Sequence, residues 1–267
     1  MSIKIVFSDI DGTFLTNDHR VTKETEIAVK SLLAKNIPFV LVSARMPEAI
    51  YPITKRIGIK IPIISYSGGL VLTEKEEELY NKTIESEQVE NVLKEIDNRW
   101  PAVTVNYYAG RRWFVKDVDD KRVKNEMDIT SATAENANFN ELLKNQIMPN
   151  KILVICEPPV CEKMEKELSK AFPKLNVVRS SKILLEIMDK SVSKATGIEV
   201  MLKYFGFTPE ESIGFGDNYN DIEMFKYVGC GVAMGNSPEP IKKIVNEITD
   251  TNEDSGIYTY LRKKKII

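Results

Sequence analysis

Ile3-Lys4-Ile5-Val6-Phe7-Ser8-Asp9-Ile10-Asp11-Gly12-Thr13 is the stretch from which the fold can be read. The apolar, β-branched run Ile3 to Phe7 stops at Ser8-Asp9-Ile10-Asp11-Gly12. A short run bounded by polar and glycine residues in this way reads as a buried strand. Working outward, a helical stretch follows at about Lys23 to Asn36, with Ile27, Leu32 and Leu33 as its apolar stripe. Ile37 to Val42 is a second continuous apolar run, ending at Ser43-Ala44-Arg45. A helix at about Glu48 to Ile57 then leads into a strand at Pro62 to Ser65. Strand, helix, strand, helix, strand is the order of a parallel sheet with right-handed crossovers.

The pattern changes after about Glu77. Ser86 to Arg99 reads as an amphipathic helix with Val89, Val92, Leu93 and Ile96 on one side. Val103 to Tyr108 and Trp113 to Val115 flank Ala109-Gly110-Arg111-Arg112 as a hairpin. After a polar, weakly patterned region come a strand at Ile152 to Cys156 and a helix at about Val160 to Phe172. Strands near Asn176 to Arg179 and Ile183 to Met188 follow. Strands in adjacent pairs predict an antiparallel sheet with helices on one face. From Ser193 the first pattern resumes. Ser193 is a helix cap, and the helix carries Ile198, Leu202 and Phe205 and ends at Gly206. A strand at Ser212 to Phe215 stops at Gly216-Asp217, and a helix at about Asp221 to Tyr227 and a strand at Cys230 to Ala233 come after it. The expectation is an α/β protein: a Rossmann-like parallel-sheet core from residues 1–83 and 190–267, with an α+β cap inserted at 84–189.

Composition removes several function classes. The 267 residues make roughly two domains of chain, enough for a real core. Lys plus Arg is 37 and Asp plus Glu is 39, a net charge of −2, so there is no overall electrostatic footprint for nucleic acid or anionic lipid. His19 is the only histidine, which excludes a multi-histidine zinc site. Cys156, Cys161 and Cys230 form no C-x-x-C pair, against a disulfide framework and for a reducing compartment. The first residues lack signal-peptide regions, and no apolar run approaches the roughly 18 residues of a membrane span. The protein is expected to be cytoplasmic, with no nucleic-acid or membrane partner.

Four strand ends and helix starts carry the chemistry. Asp9 and Asp11 follow the first strand and Ser43 the second. Asp217 and Asp221 follow a late strand, and Lys194 opens the helix before it. Ligands bind at the carboxyl ends of strands in open parallel sheets, so these groups can share one crevice. Converging carboxylates need a cation among them. With no histidine or thiolate set available, oxygen ligands around Mg²⁺ are the inference. Magnesium, a lysine and a hydroxyl together suit a phosphoryl group.

Asp9-Ile10-Asp11-Gly12-Thr13, Ser43 in Val42-Ser43-Ala44-Arg45, Lys194 in Ser191-Val192-Ser193-Lys194, and Gly216-Asp217-Asn218-Tyr219-Asn220-Asp221 resemble, in order and spacing, the four motifs of the haloacid dehalogenase superfamily. The inserted segment makes the chain most similar to its Cof-like phosphatases with a large α/β cap. Val232-Ala233-Met234-Gly235-Asn236-Ser237 and Glu253-Asp254-Ser255-Gly256-Ile257 extend the likeness. The resemblance implies a Mg²⁺-dependent phosphatase of small phosphorylated metabolites, sugar phosphates foremost. It implies Asp9 as nucleophile and Asp11 as general acid and base. The carboxylates of Asp9 and Asp217 and the backbone carbonyl of Asp11 would ligate the metal, with Asp221 ordering its water shell. Ser43, Lys194, Asn220 and the amides near Gly12 would hold the phosphoryl oxygens.

The same residues admit plainer roles. Asp9 and Asp11 suit a turn, Ser43 and Asp221 suit helix caps, Lys194 suits a surface, and Asn218 suits a turn more than chemistry. His19 reads as a loop residue, and Arg111 and Arg112 read as surface charge before substrate contacts. Two positions depart from the family pattern: Ala44 stands where glycine is common, and Ser67-Gly68-Gly69 where Asn-Gly-Ala is common. The sequence leaves the roles of Arg45 and Ser67 open. A phosphomutase and a non-catalytic regulatory module on the same fold are the alternative functions.

Overall fold

The computed structural model describes residues 3–245 and 247–267. Along the chain the elements are β1 (Ile5–Asp9), α1 (Lys23–Ala34), β2 (Phe39–Val42), α2 (Pro47–Arg56), β3 (Ile63–Ser65), β4 (Leu70–Leu72) and β5 (Glu78–Asn81). Then come α3 (Ser86–Arg99), β6 (Thr104–Ala109), β7 (Arg112–Val115), α4 (Lys121–Thr130), β8 (Glu135–Asn136), α5 (Phe139–Lys144), β9 (Lys151–Ile155), α6 (Pro158–Ala171), β10 (Leu175–Arg179) and β11 (Leu184–Asp189). The chain closes with α7 (Lys194–Phe205), β12 (Ser212–Gly216), α8 (Ile222–Tyr227), β13 (Cys230–Ala233), α9 (Glu239–Lys242), β14 (Glu247–Ile248) and α10 (Gly256–Lys263). Two compact units result. One takes the residues up to Arg45, Ile50–Tyr80 and Ser193–Ile267, the other Met46–Ala49 and Asn81–Val192.

The first unit is built on a sheet of order β14-β13-β12-β1-β2-β3-β4-β5. From β14 to β3 every pair is parallel, and β4 runs antiparallel to β3. After β1 the chain moves outward through β2 and β3, then returns beside β1 as β12 and moves out the other way. The order therefore reverses between β1 and β12. At such a reversal the adjoining loops part and leave a crevice at the strand carboxyl ends. All five residues of β1 are buried, as a strand covered on both faces requires. One face meets α7 and α8 through Ile5, Phe7, Val40, Val42 and Ile64 against Ile198, Met201, Leu202 and Met224. At Gly197 a Cβ would come 2.4 Å from Cγ2 of Ile64, so only glycine lets α7 settle this low on the sheet.

The stripe expected for α1 is corrected. Its buried residues are Thr25, Ala28, Val29 and Leu32, while Ile27 is 45% exposed and Leu33 lies at the margin. Leu32 is buried as expected, and Thr25, Ala28 and Val29, smaller side chains at helical spacing, complete the face in place of Ile27 and Leu33. Ser193 and Gly206 cap α7 as expected: the Ser193 hydroxyl accepts the Thr196 N–H, and Gly206 takes φ 70°. The strands β4, β5 and β14 and the helices α9 and α10 add to the expected pattern.

In the second unit the order is β10-β11-β9-β6-β7-β8, antiparallel except for the β7–β8 pair. Val105, Tyr107, Phe114, Ile152, Val154, Leu185 and Ile187 on one face pack on α3 and α6. The weakly patterned stretch holds α4, β8 and α5. Asp120 and Asn138 cap those two helices by accepting the N–H of Arg122 and Asn140. Of α4 only Val123 is buried, so no apolar stripe marked it in the sequence. No helix among the described residues is long and apolar enough to cross a membrane.

Candidate active site

Asp9 ends β1 and is buried. The β1–β2 register pairs Asp9 with Val42, which sets Ser43 one residue beyond that pair at the same sheet end. Lys194, the first residue of α7, is 1% exposed, so it is not the surface charge that lysine usually is. Its ammonium donates to Oδ1 of Asp9 and, at 2.5 Å, to Oδ1 of Asp221. A cation in the first turn opposes the helix dipole, and these two carboxylates compensate it. Asp221 is fully buried, and its Oδ2 accepts the backbone N–H groups of Asp217 (2.9 Å) and Asn218 (3.0 Å). Asn218 in turn caps the loop by accepting the Tyr219 N–H at 2.9 Å, the turn role expected of it.

Asp217 completes the cluster. Thr13 Oγ1 donates to its Oδ1 at 3.0 Å, and Gly12 lies against its other oxygen. Gly12 takes φ 75°, and a Cβ there would come 2.5 Å from Oδ2 of Asp217. Both the backbone and the space therefore demand glycine at this position. Ligand atoms of Asp9, Asp217 and Asp221 lie within 4.8 Å of one another, a group able to hold a metal ion.

Three carboxylates face one ammonium, and the titration directions show the imbalance. Burial pushes Asp9 well above the ordinary carboxylate range, and Asp221 and Asp217 add to this against the pull of Lys194. Burial and Asp221 push Asp217 up to about 6, opposed by the Thr13 hydrogen bond and Lys194. Burial would lower Lys194, but Asp221 and Asp9 outweigh it and hold the ammonium above its ordinary value.

The other expected residues lie around this cluster. Ser43 is buried, and its Oγ accepts the Arg45 N–H at 3.1 Å. Since α2 starts only at Pro47, this is a tight turn and not a helix cap. Ser43 O accepts the N–H of Ser67, which sits with Tyr66 at φ 53° and 50°. Two successive side-chain-bearing residues in the left-handed region store strain beside the crevice. Asp11 is not one of the three clustered carboxylates and is half exposed. Arg45 grips it with both arms, Nε to Oδ2 at 2.9 Å and Nη2 to Oδ1 at 2.6 Å. His19, at φ 56°, brings Nδ1 to 3.7 Å from the same carboxylate. Asn220 is exposed on the turn between Tyr219 and Asp221.

A family model described as haloacid dehalogenase-like hydrolase matches residues 6–261, nearly the whole chain. The chain belongs to the haloacid dehalogenase-like hydrolases. A relative from Haemophilus influenzae that carries a provisional phosphatase name is 37% identical over 99% of both chains. A solved haloacid dehalogenase-like hydrolase from Bacteroides thetaiotaomicron is similar with TM-score 0.87, at 28% identity over 98% of this chain and 99% of that one. A solved sugar phosphatase of haloacid dehalogenase subclass IIB is similar with TM-score 0.84, at 25% identity over 99% and 100%. The resemblance, the α/β core fold and the assignment as a phosphatase-type enzyme therefore stand. In this hydrolase the sequence reading missed the grip of Arg45 on Asp11 and the Thr13–Asp217 bond. Thr13 follows Gly12 directly, so it was open to notice. Arg45 lies 34 residues from Asp11, and nothing local links them.

Proposed function

We propose that this hydrolase is a Mg²⁺-dependent phosphomonoesterase acting on small phosphorylated metabolites, sugar phosphates foremost, through an aspartyl-phosphate on Asp9. The Asp9–Lys194–Asp221–Asp217 cluster at the sheet's reversal point is the observation that carries this reading. The subclass IIB neighbour, a sugar phosphatase, supports the substrate class.

The donor set fits a hard divalent cation. Lys194 takes Oδ1 of Asp9, and Thr13 takes Oδ1 of Asp217, which leaves Oδ2 of each for a metal. Both oxygens of Asp221 are engaged, by Lys194 and by two backbone amides, so Asp221 acts around the ion and not on it. Asp9 and Asp217, with the Asp11 carbonyl, would hold Mg²⁺. Bound there, it offsets the charge of the cluster and of the phosphoryl oxygens.

The chain's own groups do the rest. Asp9 attacks phosphorus through Oδ1, the oxygen that Lys194 steadies, the bond to the ester oxygen breaks, and Asp11 gives its proton to the departing oxygen. Asp11 then takes a proton from water, whose oxygen attacks phosphorus and releases the Asp9 carboxylate and inorganic phosphate. Because Arg45 holds Asp11 in the resting site, its carboxylate must turn from that grip to reach the ester oxygen. Lys194, Ser43, Asn220 and the amides near Gly12 bind the phosphoryl oxygens and the charge that grows on them.

A screen of phosphorylated metabolites with Mg²⁺, following free phosphate, tests the reading. Release should exceed that of chelated enzyme for several sugar phosphates. Release that is equal with and without chelator sinks the metal role. Scant free phosphate with dependence on a bisphosphate activator would instead mark a phosphomutase.

A further inference from the structure

The turn that carries Asp11 and Gly12 is held from the far end of the chain. Asn236 Nδ2 donates to the Gly12 carbonyl at 2.8 Å, and Asn236 Oδ1 accepts the backbone N–H of Asn252 at 3.1 Å. Asn252 Nδ2 donates to the Leu15 carbonyl at 2.9 Å and to Oδ1 of Asn17 at 3.3 Å. The Asn17 N–H closes the ring on Glu253 Oε1 at 2.6 Å. The contacts to the turn span 224 to 237 residues of sequence, the Asn236–Asn252 bond spans 16, and all lie in the first unit.

Such a tether has work to do. Asp11 has an extended backbone (ψ 122°) and Gly12 a left-handed one, so the turn between Ile10 and Phe14 lacks a regular helical ladder. Its peptide planes must be fixed by other donors. A peptide is planar, so a donor anchored on the Gly12 carbonyl also fixes the direction of the Thr13 N–H on the opposite side of that plane. The same turn presses Gly12 against Asp217 and carries the Asp11 carboxylate. We propose that Asn236 and Asn252 are positioning residues, which hold this turn so that its amides and Asp11 face the phosphoryl group. The proposal rests on the phosphatase reading.

The two asparagines separate positioning from folding. Asn252 is 4% exposed, so truncating it also strands the buried Leu15 carbonyl. Asn236 is exposed, and truncating it removes two hydrogen bonds with little loss of packing. Asn236→Ala is therefore the deciding variant, in the full chain with Mg²⁺. Four quantities are compared with wild type: kcat and KM on a sugar phosphate, inhibition by orthovanadate and by inorganic phosphate, melting temperature, and amide exchange over residues 10–17. A misplaced cradle costs transition-state binding above all, so kcat should fall about tenfold to a hundredfold, with vanadate inhibition weakened in parallel. Phosphate inhibition and melting should stay near wild type, and exchange in the turn should quicken. Faster exchange with kcat and vanadate inhibition unchanged overturns the proposal, as does unchanged exchange. If wild type releases no phosphate, the phosphatase reading is what failed, and the exchange arm still reports whether the asparagines hold the turn.

Discussion

Both units pair charge at the surface, and they differ most in the charge they bury. In the first, Lys194, Asp9 and Asp221 are buried together at the end of a parallel sheet, where burying ions costs heavily unless each is paired. In the second, charge pairs at the surface: Arg112 with Glu135, Lys116 with Asp97, and Arg99 with Glu95 and Glu167. One pair in that unit breaks the rule, Lys151 with Glu186 at 3.7 Å, both largely buried on the sheet. A fold seeking only stability would exclude ions from its interior, because well-packed apolar groups do as well or better. On the proposed reading, the buried cluster is where chemistry has been favoured over stability. The largest test of this contrast is Asp9→Asn, which keeps shape and burial but removes the charge of the proposed nucleophile. Turnover should fall about a thousandfold or more while the fold persists. Near-wild-type phosphate release from the folded variant would leave the buried cluster without its chemical meaning.

Lys194→Met sharpens the same contrast through stability. Removing the ammonium leaves Asp9 and Asp221 buried without their shared partner, and breaking a buried pair costs about 3–5 kcal/mol. Melting of the metal-free variant should drop sharply, and Mg²⁺ should recover part of the loss by supplying another positive charge. An unchanged melting temperature without metal would mean that the cluster is protonated or solvated enough not to need its lysine.

Much of the first unit was open to reading because the residues of its proposed site sit where strands stop. Asp9, Ser43 and Asp217 each follow an apolar run, and Lys194 follows a serine cap, so strand ends and one helix start gathered them. Other partners gave no local sign. Arg45 meets Asp11, and Asn252 meets Leu15 across 237 residues, through loops whose paths no periodicity records. Lys194 was unreadable as a buried residue for the same reason: only the three-dimensional meeting with Asp9 and Asp221 makes its burial tolerable. In the second unit β6, β7 and β9 announced themselves by apolar runs. Helix α4 did not, since a helix with one buried residue leaves no pattern.

A third test uses pH. In the metal-free fold Asp217 titrates at about 6, against 3.8 for an ordinary aspartate. A carboxyl raised in the folded state favours folding when protonated. Its contribution is complete below 3.8 and is lost as pH rises through about 6. Above that range the ionised cluster weighs against the fold, and a bound cation relieves it. Mg²⁺ should therefore raise the melting temperature more at about pH 7.5 than at about pH 5. An equal rise at both pH values would separate the metal's stabilising effect from this carboxylate.

The smallest expected effect lies in the second unit. Arg112 reaches Glu135 with Nε at 3.1 Å and Nη2 at 2.6 Å, and its guanidinium lies 4.4 Å from the Phe114 ring centroid. Its side chain is 55% exposed and that of Glu135 48%, so solvent screens the pair. Exposed pairs of this kind contribute at most about 1 kcal/mol. The neighbouring Arg111 donates through Nε to Glu48 Oε1 at 2.6 Å, so both hairpin arginines already have carboxylate partners within their unit. Arg112→Ala should thus move the melting temperature little and leave the ranking of phosphorylated substrates as in wild type. A substrate panel measured as kcat/KM for both proteins checks this. A reordered panel would show that an exposed charge of the inserted unit takes part in recognition. The contrast between buried, chemical charge in one unit and solvated, structural charge in the other would then fail at its weakest point.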